Sequence, residues 1–443
     1  MQSYPLRLGR WPLALTLIAV AACADDQIST APRATSLSRQ TLDGNVILVT
    51  NTNGANVPGS LRWAVGVADG TSVIKFDSTL AGDTISLDAS LEPFPFITIE
   101  GPATKGITLT TAAGYVFRLR QGGLLRNLTI SGGSGSPASA VWTLGALQLE
   151  NSTVSNNDGS GAAIHGHDVT LVNSTVSGNS GFGAASGISI ASTGSLVLIN
   201  STVAHNEGAP GIGWMTSPGG PPSITLRNSI VANNGSSSRN CGDWLQFTHQ
   251  GMNISSDSTC GVSPALIIGD PMLLGLADNG GPTPTEGFSH LSPALNGAVN
   301  CSVAVDQRYV ARGTSCDIGA FEFTDFTVVT LTIDANANTG APNGGAVVTG
   351  TVKCSRAGDQ FGLIVDLEQQ QKVGKTTTVI RGTGGLAVTC STSAQPWSGV
   401  VTPTTGAFVA GTGSAEANTS DVPAWVTPSS VSRAVKLVRP PRR

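Results

Sequence analysis

The chain has 443 residues, 55 of them glycine and 24 proline, with 12% charged residues, 5% aromatic residues and a formal net charge of −4. So low a charged fraction excludes a coiled coil or a long solvated helix, ample Val, Ile, Leu and Thr in short runs exclude a disordered chain, and the lack of a basic balance excludes a nucleic-acid binder. What remains is an all-β chain of short strands joined by Gly, Asn, Ser and Pro turns, long enough for two domains.

Arg7 and Arg10 precede an apolar run over 11–22 that ends at Cys23. Its charge and length fit an export signal, and it is too short to span a membrane. Val20, Ala21, Ala22 and Cys23 resemble the bacterial lipobox, in which the cysteine is lipidated and becomes the mature N-terminus. The expectation is a lipoprotein signal peptide over 1–22, a lipid on Cys23 and a flexible tether over 23–44. The chain would then be exported and membrane-anchored, in the periplasm or at the cell surface. The other reading is an ordinary signal peptide cut near Ala22, with Cys23 a bystander.

Residues 46–49 read as a strand. Residues 60–68 read as a helix with Ser60 as N-cap, and together the two would cover the first coil of a stacked repeat. Alternating runs at 85–87, 97–99, 107–109 and 117–119 lead into that repeat. Asn127, Asn151, Asn173, Asn200 and Asn228 open equivalent segments at spacings of 24, 22, 27 and 28 residues. Four of the five segments have a second Asn six residues later, at Asn157, Asn179, Asn206 and Asn234, whereas the first has Gly133.

A fixed period of this size signals a solenoid. The unit is too short and too strand-like for helix pairs, so it predicts a parallel β-helix whose coils stack about 4.8 Å apart. The recurrent first Asn suits a turn, and its amide is expected to bond the next coil and form a ladder. The same triplets match glycosylation acceptors at Asn127, Asn151, Asn173 and Asn200, but the lipobox points to a bacterium and favours the structural role.

Besides Cys23 there are six cysteines, Cys241, Cys260, Cys301, Cys316, Cys354 and Cys390. In an exported chain an even number favours disulfides. Six allow 15 pairings. Local pairing, Cys241 with Cys260, Cys301 with Cys316 and Cys354 with Cys390, is the simplest. A zinc site lacks any Cys-x-x-Cys and any suitably spaced His, so no metal or cofactor is expected. After Glu322 the texture changes to alternating strands, which predicts a small antiparallel β-sandwich over 323–443, with an immunoglobulin-like topology as one option.

Three further stretches carry a resemblance. The first is Gly59-Ser60-Leu61-Arg62-Trp63-Ala64-Val65. The second is Asp278-Asn279-Gly280-Gly281-Pro282-Thr283, followed by Ser292-Pro293-Ala294. The third is Asp306-Gln307-Arg308, then Ala311-Arg312, then Cys316-Asp317-Ile318-Gly319-Ala320-Phe321-Glu322. They resemble the choice-of-anchor Q proteins, bacterial surface proteins with right-handed parallel β-helix repeats and a Cys-Ser-Leu-Arg-Glu-Ala-Ile element. Here Gly59 and Trp63 replace the Cys and the Glu of that element. The resemblance covers about residues 45–322, implies a surface-attached β-helix and implies no particular reaction. Asp306, Arg308 and Arg312 could pass for a catalytic set, but a salt-bridged C-terminal cap of the solenoid is the preferred expectation.

Glycosidases and lyases need clustered carboxylates, or a base with calcium-binding acids. Between 124 and 235 the acids are only Glu150, Asp158, Asp168 and Glu207, and no two recur at one place in successive coils. His165 and His167 would share a strand face beside Asp168, a candidate metal or acid–base site; a polar turn is the plainer reading. Trp142, Trp214 and Trp244 are read as lying in or beside loops, and aromatic faces suit sugar rings. The sequence therefore predicts a lipid-anchored scaffold or adhesin binding a polysaccharide or a cell-surface protein along its flank. The alternative is an extracellular polysaccharide lyase or glycoside hydrolase of the pectate-lyase-like type.

Overall fold

A computed structural model describes residues 45–215, 218–236, 239–423 and 426–439. The signal peptide, Cys23 and the tether lie outside these residues. Among the described residues the only α-helix is Leu61–Val67, and no helix is long and apolar enough to cross a membrane.

The first part of the chain is a parallel β-solenoid with three faces. The broad face stacks Val46–Val49, Val73–Phe76, Ile97–Glu100, Gly123–Arg126 and Leu147–Glu150. It continues through the second halves of Ala162–Val172 and Ile188–Ile199, then Ser223–Arg227 and Gln246–Gln250. A second face stacks nine strands from Thr84–Leu87 to Leu266–Ile268. The third, which we call the flank, is shorter. It joins Phe117–Leu119, Ala138–Thr143, the first halves of Ala162–Val172 and Ile188–Ile199, and Ile212–Trp214.

Alternation along each strand sends every second residue inward. In register on the broad face, Ile99, Leu125, Leu149, Leu171, Leu198 and Leu226 form one fully buried column. Each such side chain contributes about 1.5–3 kcal/mol of burial. At the top, Ser60 caps the helix by accepting from the Trp63 amide, and Leu61, Ala64 and Val65 close the first coil.

Each position of the repeated Asn-Ser-Thr-Val segment has a distinct job. The first Asn of each coil turns the corner in the left-handed region, with φ of 57°, 47°, 45°, 46° and 47° from Asn127 to Asn228. Asn tolerates that region better than other non-glycine residues. The Ser hydroxyl accepts the backbone N–H of the neighbouring coil, as from Ser152 N to Ser174 Oγ and from Ser174 N to Ser201 Oγ, both 3.2 Å. The Thr points outward and the Val inward. Asn127, Asn151, Asn173, Asn200 and Asn228 do stack in one column, tied by bonds such as Asn151 N to the Val172 carbonyl at 3.1 Å.

The expected amide ladder, however, is not in that column. The second Asn makes it. Nδ2 of Asn157, Asn179 and Asn206 each donates to Oδ1 of the next coil's Asn at 2.8 Å, and Asn234 donates to Asn240 at 3.1 Å. Gly133, at the missing Asn, ends the ladder by donating its N–H to Asn157 Oδ1 at 2.9 Å. The first Asn is committed to the corner by its backbone, and its amide bonds main-chain groups instead of the next Asn: Nδ2 of Asn127, Asn173 and Asn228 donates to the carbonyls of Gly101, Val305 and Val299 at 3.0, 2.9 and 3.0 Å. At Asn200 neither amide atom has a partner.

The segment after the last coil also departs from expectation. Residues 279–323 do not simply close the end of the solenoid. They lie as a strap over the outer surface of the second face. Gln307 Nε2 donates to the Thr153 hydroxyl at 2.8 Å, and the Thr175 hydroxyl donates to Gln307 Oε1 at 2.7 Å. Tyr309 donates to Asn127 Oδ1 at 2.8 Å, and Asn173 donates to the Val305 carbonyl at 2.9 Å. Small hydroxyl residues on that face are satisfied by the strap instead of by water. The motif charges fasten the strap internally: Arg308 pairs with Asp306 and Arg312 with Glu322, each at 2.8 Å.

The three cystine bridges join Cys241–Cys260, Cys301–Cys316 and Cys354–Cys390. The C-terminal strands, Thr327–Ile333 to Ser430–Val438, form one nine-stranded sheet. A pairing between Asn336–Ala341 and Gly345–Cys354 curls it back on itself, so the region is barrel- or sandwich-like. Its core includes Trp397, whose ring packs on Gly350; a Cβ there would lie 2.6 Å from it.

Candidate binding site on the solenoid flank

The flank strands present alternate residues outward, and register stacks these into a row running Arg118, Trp142, His165, Ser189 and Gly213. The inward partners are Phe117, Val141, Ile164, Ile188 and Ile212, all fully buried. A bridge between Leu91 and Phe117 brings Glu92 to the head of the row.

At that end the Arg118 guanidinium lies over the Trp142 ring, 4.5 Å from its centroid, and the Tyr115 ring tilts against Trp142 at 5.5 Å. Glu92 is shared by two arginines, Arg118 at 3.5 Å and Arg120 at 3.3 Å. Three buried polar atoms on this one row have no hydrogen-bond partner: Arg118 Nε, His165 Nδ1 and Ser189 Oγ. Burial holds the His165 pKa below its ordinary value, against a hydrogen bond with the Ser189 backbone that raises it. Burial thus favours the neutral ring of His165.

The tryptophans do not form one platform. Trp142 is on a strand, half-buried, in contact with Arg118 and Tyr115. Trp214 lies three coils away, roughly 14 Å at the strand spacing, and one residue further along its strand than the Trp142 row; its Nε1 donates to the Asp243 carbonyl at 3.0 Å. Trp244 is 82% exposed and takes a φ of 65°.

His165 and His167 do not share a face either, because the register slips between Gly166 and Asp168. His165 stays in the row. His167 reaches the exposed corner, where its Nδ1 lies 3.0 Å from Asp168 Oδ2, and the Ser195 hydroxyl donates to Asp168 Oδ1 at 2.7 Å. Burial would raise the Asp168 pKa, but the Ser195 and His167 hydrogen bonds outweigh it and hold it low. Asp168 is thus held toward its anionic form, with each carboxylate oxygen engaged by a neighbour. Among the described residues no group of three or more His, Cys, Asp or Glu could hold a metal ion.

Two titratable clusters lie under the strap. Glu286, with its side chain fully buried, accepts from the Ser177 hydroxyl at 2.5 Å and sits 3.0 Å from His205 Nδ1. That hydrogen bond raises the His205 pKa, against burial, which lowers it. Asp317 is pushed up to about 7 by burial and then by Glu322. Both clusters fasten the strap.

Glu92, Tyr115, Arg118 and Arg120 are not marked by any motif in the sequence. A signal was present all the same. Arg118 precedes Trp142 by 24 residues, the same step as Asn127 to Asn151, so the two had to be stacked neighbours.

A family model for the right handed beta helix region matches residues 98–265. The solenoid is a right-handed parallel β-helix. Among solved structures, the Acinetobacter phage vB_ApiP_P1 tailspike protein is similar over 86% of this chain and 86% of its own, at 11% identity and a TM-score of 0.27. A likeness at that level supports no argument about function. No curated protein matches the chain.

Proposed function

We propose that this protein is an exported scaffold, attached to the cell envelope through a lipid on Cys23, whose β-helix flank binds an extended polysaccharide. The observation that carries the reading is the flank row. A half-buried Trp142 stands between Arg118 and His165, and the row holds three polar atoms that the protein leaves unpartnered. Buried polar groups are normally hydrogen-bonded. Unpartnered buried atoms also occur at Asn173, Asn200 and Glu286; those on this row differ in lying in register beside an open arginine–aromatic cluster, and that placement supports the reading. Three disulfides fit an oxidising compartment, extracellular or periplasmic. The resemblance to choice-of-anchor Q proteins supports surface attachment.

Binding is preferred over cleavage because the acids beside the flank row and on the broad face are engaged. Glu150 and Glu100 pair with Arg126, Glu92 with Arg118 and Arg120, and Asp168 with His167 and Ser195. A two-carboxylate mechanism needs one acid held protonated near an ionised partner across the scissile bond. The test is a panel of purified polysaccharides, scored for retention of the protein and for new reducing or unsaturated ends. Retention that Trp142→Ala weakens about tenfold, without chain cleavage, is the expected result. Depolymerisation abolished by His167→Ala or Asp168→Ala would replace this reading with the hydrolase or lyase alternative.

A further inference from the structure

The head of the flank row has an imbalance that binding a neutral sugar does not explain. Arg118 lies on the strand Phe117–Leu119 and Arg120 directly follows it, and both side chains reach the same group. They share the single carboxylate of Glu92, at 3.5 and 3.3 Å. Two guanidiniums against one carboxylate leave one positive charge unmatched. The side chains of Arg120 and Glu92 are 41% and 40% exposed, so the site is open to solvent. Arg118 is in addition held over the Trp142 ring, 4.5 Å from its centroid, and keeps an unpartnered Nε.

Other charge groupings on the solenoid are balanced differently. On the broad face Lys75, Glu100, Arg126 and Glu150 alternate in sign from coil to coil and pair along the stack, from 3.7 Å for Lys75–Glu100 to 2.6 Å for Arg126–Glu150. At the top Arg62 pairs with Asp88 at 2.8 Å. The flank cluster has an excess of cation beside an aromatic ring.

We propose that Glu92, Arg118, Arg120 and Trp142 form an anion-recognising subsite for an acidic sugar, a uronic acid residue of an extended polysaccharide. Its carboxylate bridges the two guanidiniums, whose planar forks match carboxylate geometry. Its ring packs against the exposed part of Trp142 and Tyr115. Glu92 holds the two forks apart when the site is free. This inference rests on the glycan-binding reading and specifies the class of glycan.

The probes are oligogalacturonate and the same oligosaccharide with its carboxyl groups reduced to the neutral galactose form. Binding of each to the mature protein is measured by titration calorimetry, for the parent, Arg120→Gln and Trp142→Ala. The acidic probe should bind at least tenfold more tightly than its reduced partner. Arg120→Gln should remove most of that difference. Added salt should narrow the difference, since the site is exposed. Trp142→Ala should weaken both probes, with circular dichroism showing that the coil is intact. Equal binding of the two probes, or an acidic preference that survives Arg120→Gln, overturns the anion subsite and leaves glycan binding standing. Binding of neither probe, with no neutral polysaccharide from the panel retained, overturns both.

Discussion

The two Asn columns can be separated by substitution, because one is held by its backbone and the other by its amides. Asn206 is fully buried and makes five side-chain bonds. Its Oδ1 accepts from Asn179 N at 3.2 Å and from Asn179 Nδ2 at 2.8 Å. Its Nδ2 donates to the Val176 and Ala204 carbonyls and to Asn234 Oδ1, at 3.0, 3.1 and 2.8 Å. Asn206→Ala strands the Asn179 backbone N–H in the interior, at about 1–3 kcal/mol, and removes bonds worth about 0.5–1.5 kcal/mol each. Several partners keep a second bond, so the expected total is about 3–5 kcal/mol. Asn200 is equally buried, but both its amide atoms lack partners, and its φ is 46°. Asn200→Gly accepts that φ without strain, so it should change stability by no more than about 1 kcal/mol. Asn200→Ala should cost about 1–2 kcal/mol for the left-handed corner. Guanidinium unfolding followed by circular dichroism gives the ranking. Hydrogen exchange on peptides covering 173–212 localises it, since a solenoid loosens near the damaged coil. If Asn200→Gly were as damaging as Asn206→Ala, the division of labour between the columns would be refuted.

The strap and the lipid anchor give further tests. Replacing Cys301 and Cys316 by Ser opens a loop of about 15 residues, worth roughly 3 kcal/mol; strap peptides over 301–316 should exchange faster while the flank and barrel are unchanged. His205 and Asp317 both have raised pKa values in the folded chain, the first through its bond to Glu286 and the second, at about 7, through burial. The folded strap then holds protons that the unfolded chain has released, so its stability falls as pH rises from about 4 through 7 and beyond. Limited proteolysis of 279–323 should be faster at pH ~8 than at pH ~6, and His205→Gln should lessen the dependence. Cys23→Ser should release the protein from the membrane fraction of its native host; fractionation identical to the parent would refute lipid attachment.

Much of the solenoid was legible because its period is carried by the residues that turn each corner. The Asn-Ser-Thr-Val segment gives the second face, and the Leu-x-Leu runs before it give the broad face. Ser60 identifies the cap because N-cap chemistry is local. The choice between the two Asn columns was not legible, since both recur with the same spacing and only φ distinguishes them. The flank was hidden for a similar reason. In two coils it fuses with the broad face into the single strands Ala162–Val172 and Ile188–Ile199, which blurs the turn signal between them. The strap was misplaced because its contacts are remote in sequence: Gln307 and Thr153 are 154 residues apart. Charge and spacing near 306–322 predict a salt-bridged unit, but not the surface it lies on.

The three faces of the solenoid are finished in three different ways, and that difference is what favours the flank as the proposed binding surface. The second face exposes Thr and Ser, whose hydroxyls could bind a ligand, but the strap takes them: Thr153, Thr175 and Ser177 bond Pro284, Gln307 and Glu286 at 2.6, 2.7 and 2.5 Å. The broad face exposes charges that neutralise one another up the stack, from Lys75 to Glu150. Exposed pairs of this kind add little stability, but they leave few unsatisfied groups to recognise a ligand. The flank has neither a cover nor a balanced ladder. It retains an unmatched guanidinium, a half-buried indole and three unpartnered polar atoms in register, each a cost to the folded chain that a bound ligand would offset. Because successive coils repeat about every 4.8 Å, the row runs as evenly spaced but chemically different positions from Arg118 to Gly213, a layout that would suit a linear polymer lying along the solenoid better than a compact ligand.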